Sequence, residues 1–275
     1  MKIGVMIPVR EDTNILREFQ KAKDMGMETC QISMWKMHKY TEQTAAEILD
    51  AVQATGLQIS TLWAGWSGPK EWNFTYGPVT LGLVPPAYRG TRLADLEKAS
   101  EFAARIGVQN IATHVGFLPE NPRDPDYIGT IGALRHLCKL MKDRGQNFLF
   151  ETGQETPVTI LRAIEDIGYD NVGINFDTAN VILYGKANAA DAVRIFGKYI
   201  LDTHIKDGLF PTDGKNLGKE VPVGEGLADF PTVLKELKAL GYTGSFTIER
   251  EIRGEQQTKD IIHARDLLLK IEKEL

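Results

Sequence analysis

Eight short apolar runs alternate with helical stretches along this chain, and no other feature restricts its fold so strongly. The runs are KIGVMI, METCQIS, LQISTLW, VQNIATH, NFLFE, NVGINFD, YILDTHI and GSFTIE. Each has strand length and strand-favouring side chains. Between them, helical spacing predicts helices over residues 13–25, 41–55, 91–106, 127–144, 189–197, 230–240 and 255–275. Another helix opens with a first-turn proline, Pro157, and stops at Gly168. Gly26, Gly56, Gly107, Gly145 and Gly241 follow other helix ends, where a left-handed residue closes the last turn. Strands separated by helices pair in parallel through right-handed crossovers. Eight such units in 275 residues, with no linker or low-complexity insert, predict one closed (β/α)8 barrel over residues 1–275, a single domain. No GxGxxG motif follows the first run, so an open dinucleotide-binding sheet does not fit.

Charge and composition exclude several function classes. The net charge is −5 and no basic stripe is present, so nucleic-acid binding has no electrostatic footprint. No apolar run approaches the ~20 residues that span a bilayer. The opening MKIGVMIPV is broken at once by Arg10, Glu11 and Asp12, unlike a secretory signal. Cys30 and Cys138 lie far apart without ligand spacing and are read as reduced. A cytoplasmic location is expected.

In a barrel of this type the active site lies at the C-terminal ends of the strands. The ionisable groups there are His114 after the fourth run, Glu151 ending the fifth and Asp177 ending the sixth. His204, Lys206 and Asp207 end the seventh, and Glu249 ends the eighth. The last four strands are neighbours, so Glu151, Asp177, His204 and Glu249 are expected to converge. A lone carboxylate at a strand end is more often a helix cap or a loop ion pair. Three crowded carboxylates repel one another unless a cation sits among them. Three oxygen donors and one imidazole suit one divalent ion, Mn²⁺, Mg²⁺, Co²⁺ or Zn²⁺.

These motifs resemble the xylose-isomerase-like TIM-barrel superfamily of sugar and sugar-phosphate isomerases and epimerases. The resemblance rests on FETG at Glu151, NFDTAN at Asp177, HIKDG at His204, the later VPVGEGLADFPTVLKEL, and GSFTIERE at Glu249, and it covers essentially the whole chain. It implies a divalent metal held by Glu151, Asp177, His204 and Glu249, with His114 and Lys206 near the substrate. The chain also departs from the pattern. Many members carry a histidine three residues after the strand-six aspartate, where this chain has Asn180. Members that cleave DNA need several further histidines that this chain lacks.

The chemistry expected is proton abstraction next to a carbonyl through an enediolate whose charge the metal stabilises. Glu151 and Glu249 are expected to exchange the roles of base and acid on opposite faces of a carbohydrate, while Asp177 and His204 fix the geometry. Lys206 either donates to a substrate oxygen or pairs with Asp207 or Glu225. His114 orients a hydroxyl or is a capped barrel histidine, and Glu225 shapes its loop. Residues 64–89, too long for a simple connection, hold Trp66, Trp72, Phe74, Tyr76 and Tyr88, with Trp63 just before them. They read as a lid whose aromatic faces, Trp63 and Trp66 included, meet the substrate, or as a contact between copies in a homo-oligomer. His38 is placed at the same rim, and His136 and His263 on helix surfaces. A dehydratase of a keto-sugar or keto-inositol is the alternative, and a non-catalytic sugar-binding barrel a third reading. Lys215, Lys219, Arg250 and Arg253 are the candidates for holding a phosphate, although an unphosphorylated sugar is favoured.

Overall fold

The computed structural model describes residues 1–275. Eight parallel strands close a barrel: β1 (Lys2–Pro8), β2 (Thr29–Met34), β3 (Gln58–Ala64), β4 (Asn110–Thr113), β5 (Asn147–Glu151), β6 (Val172–Asp177), β7 (Ile200–Ile205) and β10 (Ser245–Ile248). The first and last strands pair, Lys2 with Ser245 through Val5 with Ile248, and this seam completes the cylinder. The outer helices are α1 (Ile15–Asp24), α2 (Glu42–Thr55), α4 (Pro86–Arg105), α5 (Pro125–Asp143), α6 (Pro157–Ile167), α8 (Ala189–Phe196), α9 (Phe230–Ala239) and α10 (Glu255–Glu274). No helix is long and apolar enough to cross a membrane.

The helix starts follow from local chemistry. Asn14, Thr41, Asp124, Thr156, Asn188 and Asp229 each accept a backbone N–H of the first turn. The helix predicted from residue 127 therefore starts at Pro125, capped by Asp124. The helix predicted from residue 91 starts at Pro86, because Pro85 and Pro86 fix the entry. The two long connections, residues 64–89 and 207–228, contain short regular elements. The first holds a turn of helix, α3 (Gly77–Thr80), and the first turn of α4. The second pairs β8 (Asp207–Leu209) antiparallel with β9 (Lys219–Val221). A further short helix, α7 (Asn180–Leu183), follows β6.

Side chains alternate across each strand. Phe148, Phe150, Ile174 and Phe176 belong to the main apolar core, which also takes in buried residues of the surrounding helices. Polar side chains from opposite strands meet inside the barrel. Thr61 of β3 donates to Asp202 of β7 at 2.6 Å, and Gln31 of β2 donates to Asn175 of β6 at 2.8 Å. The floor beneath the mouth is thus hydrogen-bonded as well as packed.

Candidate active site

Register brings the site together. Asp177 lies opposite His204 in the β6–β7 pairing, and Glu151 lies opposite Asn175 one strand away. Nδ1 of His204 is 2.9 Å from Glu151 Oε1, 3.5 Å from Glu249 Oε2 and 3.8 Å from Asp177 Oδ2. Glu151, Asp177 and His204 each offer a ligand atom within 4.8 Å of the others.

Asp177 is bonded on one side only. Its Oδ1 accepts the backbone N–H groups of Ala179 and Asn180, both at 2.8 Å. Its Oδ2 is buried without a hydrogen-bond partner. A buried carboxylate oxygen without a hydrogen bond is costly, and this one has only the Lys206 ammonium at 3.5 Å and His204 Nδ1 at 3.8 Å near it. The donor set therefore fits a hard or borderline divalent cation.

The charges are strongly coupled. Burial opposes ionisation of His204, yet Glu151, Glu249 and Asp177 hold it well above the usual imidazole range. Burial raises Glu151 to about 7, against the pull of His204. Burial also works against Asp177, but Lys206 and His204 keep it below the ordinary carboxylate range. Metal binding must displace such protons, so affinity for a divalent ion rises with pH.

Lys206 lies beneath the mouth rather than along it. Its ammonium is 2.9 Å from Glu251, 3.2 Å from both Asn180 Oδ1 and Glu249, and 3.5 Å from Asp177. Burial disfavours its charge, but Asp177, Glu249 and Glu251 hold it well above the normal lysine range. Its partners are these groups and not Asp207 or Glu225. Asp207 instead clamps the GEG turn, accepting from the backbone N–H groups of Gly208, Gly224 and Gly226 at 2.9 Å and of Ala228 at 3.1 Å. A Cβ on Gly226 would stand 2.2 Å from Asp207 Oδ1, so only glycine fits this close approach. Glu225 is exposed beside the clamp.

A cavity of about 190 Å³ opens above Glu151 and Glu249. Trp35, Trp63 and Trp72 line it, as do Asn180, Tyr184 and His114. Trp35 packs on Trp63 at 4.9 Å and meets Trp72 edge-on at 6.1 Å. Burial, then Lys206, lowers His114 to about 3, which leaves a neutral ring whose Nδ1 has no partner. Gln154 donates to the Tyr184 hydroxyl at 2.9 Å and keeps a bare Oε1. His114 and Tyr184, which line the cavity, suit substrate hydroxyls, and Gln154 supports Tyr184.

Trp66 stands apart from the expected wall. It is fully buried behind Trp35, 5.5 Å away, with the Arg92 guanidinium 3.9 Å from its ring. It supports the aromatic wall and does not line the cavity. Tyr88 stacks on the far side of Arg92 at 4.7 Å, and Tyr76 is exposed. His38 pairs with Glu11 at 2.6 Å and His136 with Glu97 at 2.8 Å, both on the surface, and His263 is exposed. Among the phosphate candidates, Arg250 is committed to Glu220 at 2.9 Å and Asp260 at 2.8 Å. Lys215 and Lys219 are exposed, and Arg253 lines a cavity next to the mouth. Sequence reasoning missed Trp35, Gln154, Tyr184 and Glu251. The ERE spacing was a signal for Glu251, but nothing local marked the others.

Glu155, just beyond Glu151, is buried with neither carboxylate oxygen hydrogen-bonded. Burial pushes it up to about 8, from an ordinary 4.5. Because the folded value is the higher one, its contribution to stability is full below about pH 4.5 and is lost as pH rises to about 8. From about pH 4.5 to about pH 9, wild type should lose on the order of 4 kcal/mol relative to Glu155→Gln. Urea unfolding of both proteins across that range checks this, and parallel curves would refute it.

Residues 19–271 match the family described as xylose isomerase-like TIM barrel. The chain belongs to that family. Among solved structures, this xylose isomerase-like barrel is similar to a xylose isomerase domain protein from Planctomyces limnophilus. They are 35% identical, with a TM-score of 0.91 over 99% of this chain and 97% of the other. It shares its fold with 3-keto-D-glucoside 4-epimerase from E. coli, at 21% identity and a TM-score of 0.74 over 98% and 99% of the two chains. Inosose dehydratase of Geobacillus thermodenitrificans is 26% identical over 140 residues, 44% of this chain and 46% of that protein. The chain spans about half the length of the curated relatives it matches.

Proposed function

We propose that this protein is a divalent-metal-dependent sugar isomerase or epimerase that removes a proton next to a carbonyl. The observation that carries the proposal is the buried cluster of Glu151, Asp177 and His204, with ligand atoms within 4.8 Å of one another and an Asp177 Oδ2 that has no hydrogen bond, beside Glu249 at the barrel mouth. Glu151, Asp177, His204 and Glu249 would hold the ion. When bound, it supplies Lewis acidity that stabilises negative charge developing on adjacent substrate oxygens. Glu151 and Glu249 stand on strands separated by β6 and β7, so each addresses the substrate from its own side. One takes the proton and the other returns it. His114 and Tyr184 orient hydroxyls, Gln154 holds the Tyr184 hydroxyl, and Trp35, Trp63 and Trp72 cover the carbon face and exclude water. Lys206 neutralises the crowded carboxylates and holds Glu249 and Asn180 in place. The occupant is a small carbohydrate, and the buried free thiols of Cys30 and Cys138 suit a reducing compartment.

A second reading, dehydration of a keto-sugar or keto-inositol, draws on the similarity to inosose dehydratase. It begins with the same proton abstraction and then expels a hydroxyl. Incubation of Mn²⁺-loaded protein with ketoses, keto-inositols and their phosphates in D₂O separates the two. Deuterium gained at one carbon without loss of water supports the isomerase or epimerase, and product that has lost water supports the dehydratase. Wild type that binds no divalent ion and shows no thermal shift with Mn²⁺, Mg²⁺, Co²⁺ or Zn²⁺ would overturn both.

A further inference from the structure

Below the mouth, four buried side chains form a closed hydrogen-bonded ring: Glu151, Asn175, Gln31 and His204. Asn175 Nδ2 donates to Glu151 Oε2, and Gln31 Nε2 donates to Asn175 Oδ1 at 2.8 Å. Gln31 Oε1 meets His204 Nε2 at 2.9 Å, and His204 Nδ1 meets Glu151 Oε1 at 2.9 Å.

Two acceptors fix how both amides of this ring are turned. Ionised, Glu151 only accepts, so Asn175 turns its NH₂ towards it and its oxygen towards Gln31, and a His204 Nδ1–H donates to it until a metal ion takes that proton's place. The backbone carbonyl of Thr203 also only accepts, and the same Gln31 nitrogen approaches it at 3.4 Å. Both constraints place the Gln31 oxygen against His204. That oxygen cannot donate, so the proton must sit on His204 Nε2.

We propose that Gln31 and Asn175 are positioning residues that lock the His204 proton on Nε2 and present Nδ1 to the divalent ion. The assignment rests on the metal site proposed above. Metal-ligating histidines ordinarily give their second N–H to a carboxylate, a backbone carbonyl or water. Here a side-chain amide takes it, and a second amide ties that choice to the orientation of Glu151, another ligand. The ring thus sets two ligands of one site from inside the barrel, without touching substrate.

The test is long-range ¹H–¹⁵N NMR of ¹⁵N-histidine-labelled protein, with His204 assigned by its loss in His204→Asn. Wild type should show a proton on His204 Nε2 both without metal and with Zn²⁺ bound. Gln31→Met, which keeps the length of the side chain and removes the amide, should weaken Zn²⁺ binding about 10–100-fold in competition with a chelator. Failure of wild type to bind Zn²⁺ would overturn the metal site and this role together. Zn²⁺ binding with the proton on Nδ1, or unchanged affinity in folded Gln31→Met, would overturn the ring alone. Should Gln31→Met not fold, the wild-type spectra decide.

Discussion

Glu249→Gln is expected to lower turnover roughly 10²–10⁴-fold while the barrel stays folded, since general acid–base groups contribute on that scale. Glu249 is 18% exposed at the mouth, and its loss leaves Lys206 paired with Glu251 and Asp177. Glu151→Gln should lose a similar factor and bind metal less well, because Glu151 is buried against His204 and Asn175. In D₂O with a substrate, each variant should block exchange initiated from its own face. Solvent-proton exchange retained at wild-type rate in both would remove the two glutamates from the chemistry.

Arg92→Met should cost about 3–5 kcal/mol, because buried acceptors stripped of their donors carry the full desolvation penalty. The Arg92 guanidinium donates to the carbonyls of Ser67 at 2.9 Å and of Pro69 and Gly82 at 2.7 Å. It lies between the rings of Trp66 and Tyr88. Nearby, Asp95 accepts from Ser67 N–H at 2.8 Å. Gly82 sits at a φ of +66° with no room for a Cβ against the Val115 carbonyl, so the chain has no easy alternative path. A fall in Tm of roughly 10 °C is expected. Faster proteolysis within residues 64–85 should accompany it, with a shift in tryptophan emission. A variant unchanged in all three would show that the loop stands without its arginine.

Much of this was legible in the sequence. The eightfold alternation gives the barrel, because the period-2 and 3.6-residue patterns are local. The four charged strand ends stand out because each closes an apolar run. Gln31 and Asn175 did not stand out: an amide inside a strand reads the same whether it faces the barrel axis or a helix, and only closure of the barrel brings β2 across from β6. Trp66 reads in the sequence as a wall residue because aromatic content says nothing of which way a loop turns its rings. For Lys206 the sequence offers a substrate oxygen, or Asp207 or Glu225 as partner, whereas its carboxylates come from strand ends far along the chain. The loop structure of residues 207–228 was obscured for a related reason. The Asp207 side chain organises it, from the first residue of β8.

That clamp makes HIKDG and VGEG one mechanical part, although its bonds join residues up to 21 positions apart. The aspartate and the two glycines should therefore be inherited as a set. Transplanting either motif alone into a related barrel would leave stranded amides on one side or a stranded carboxylate on the other, so loop grafts meant to change substrate choice should carry both pieces together.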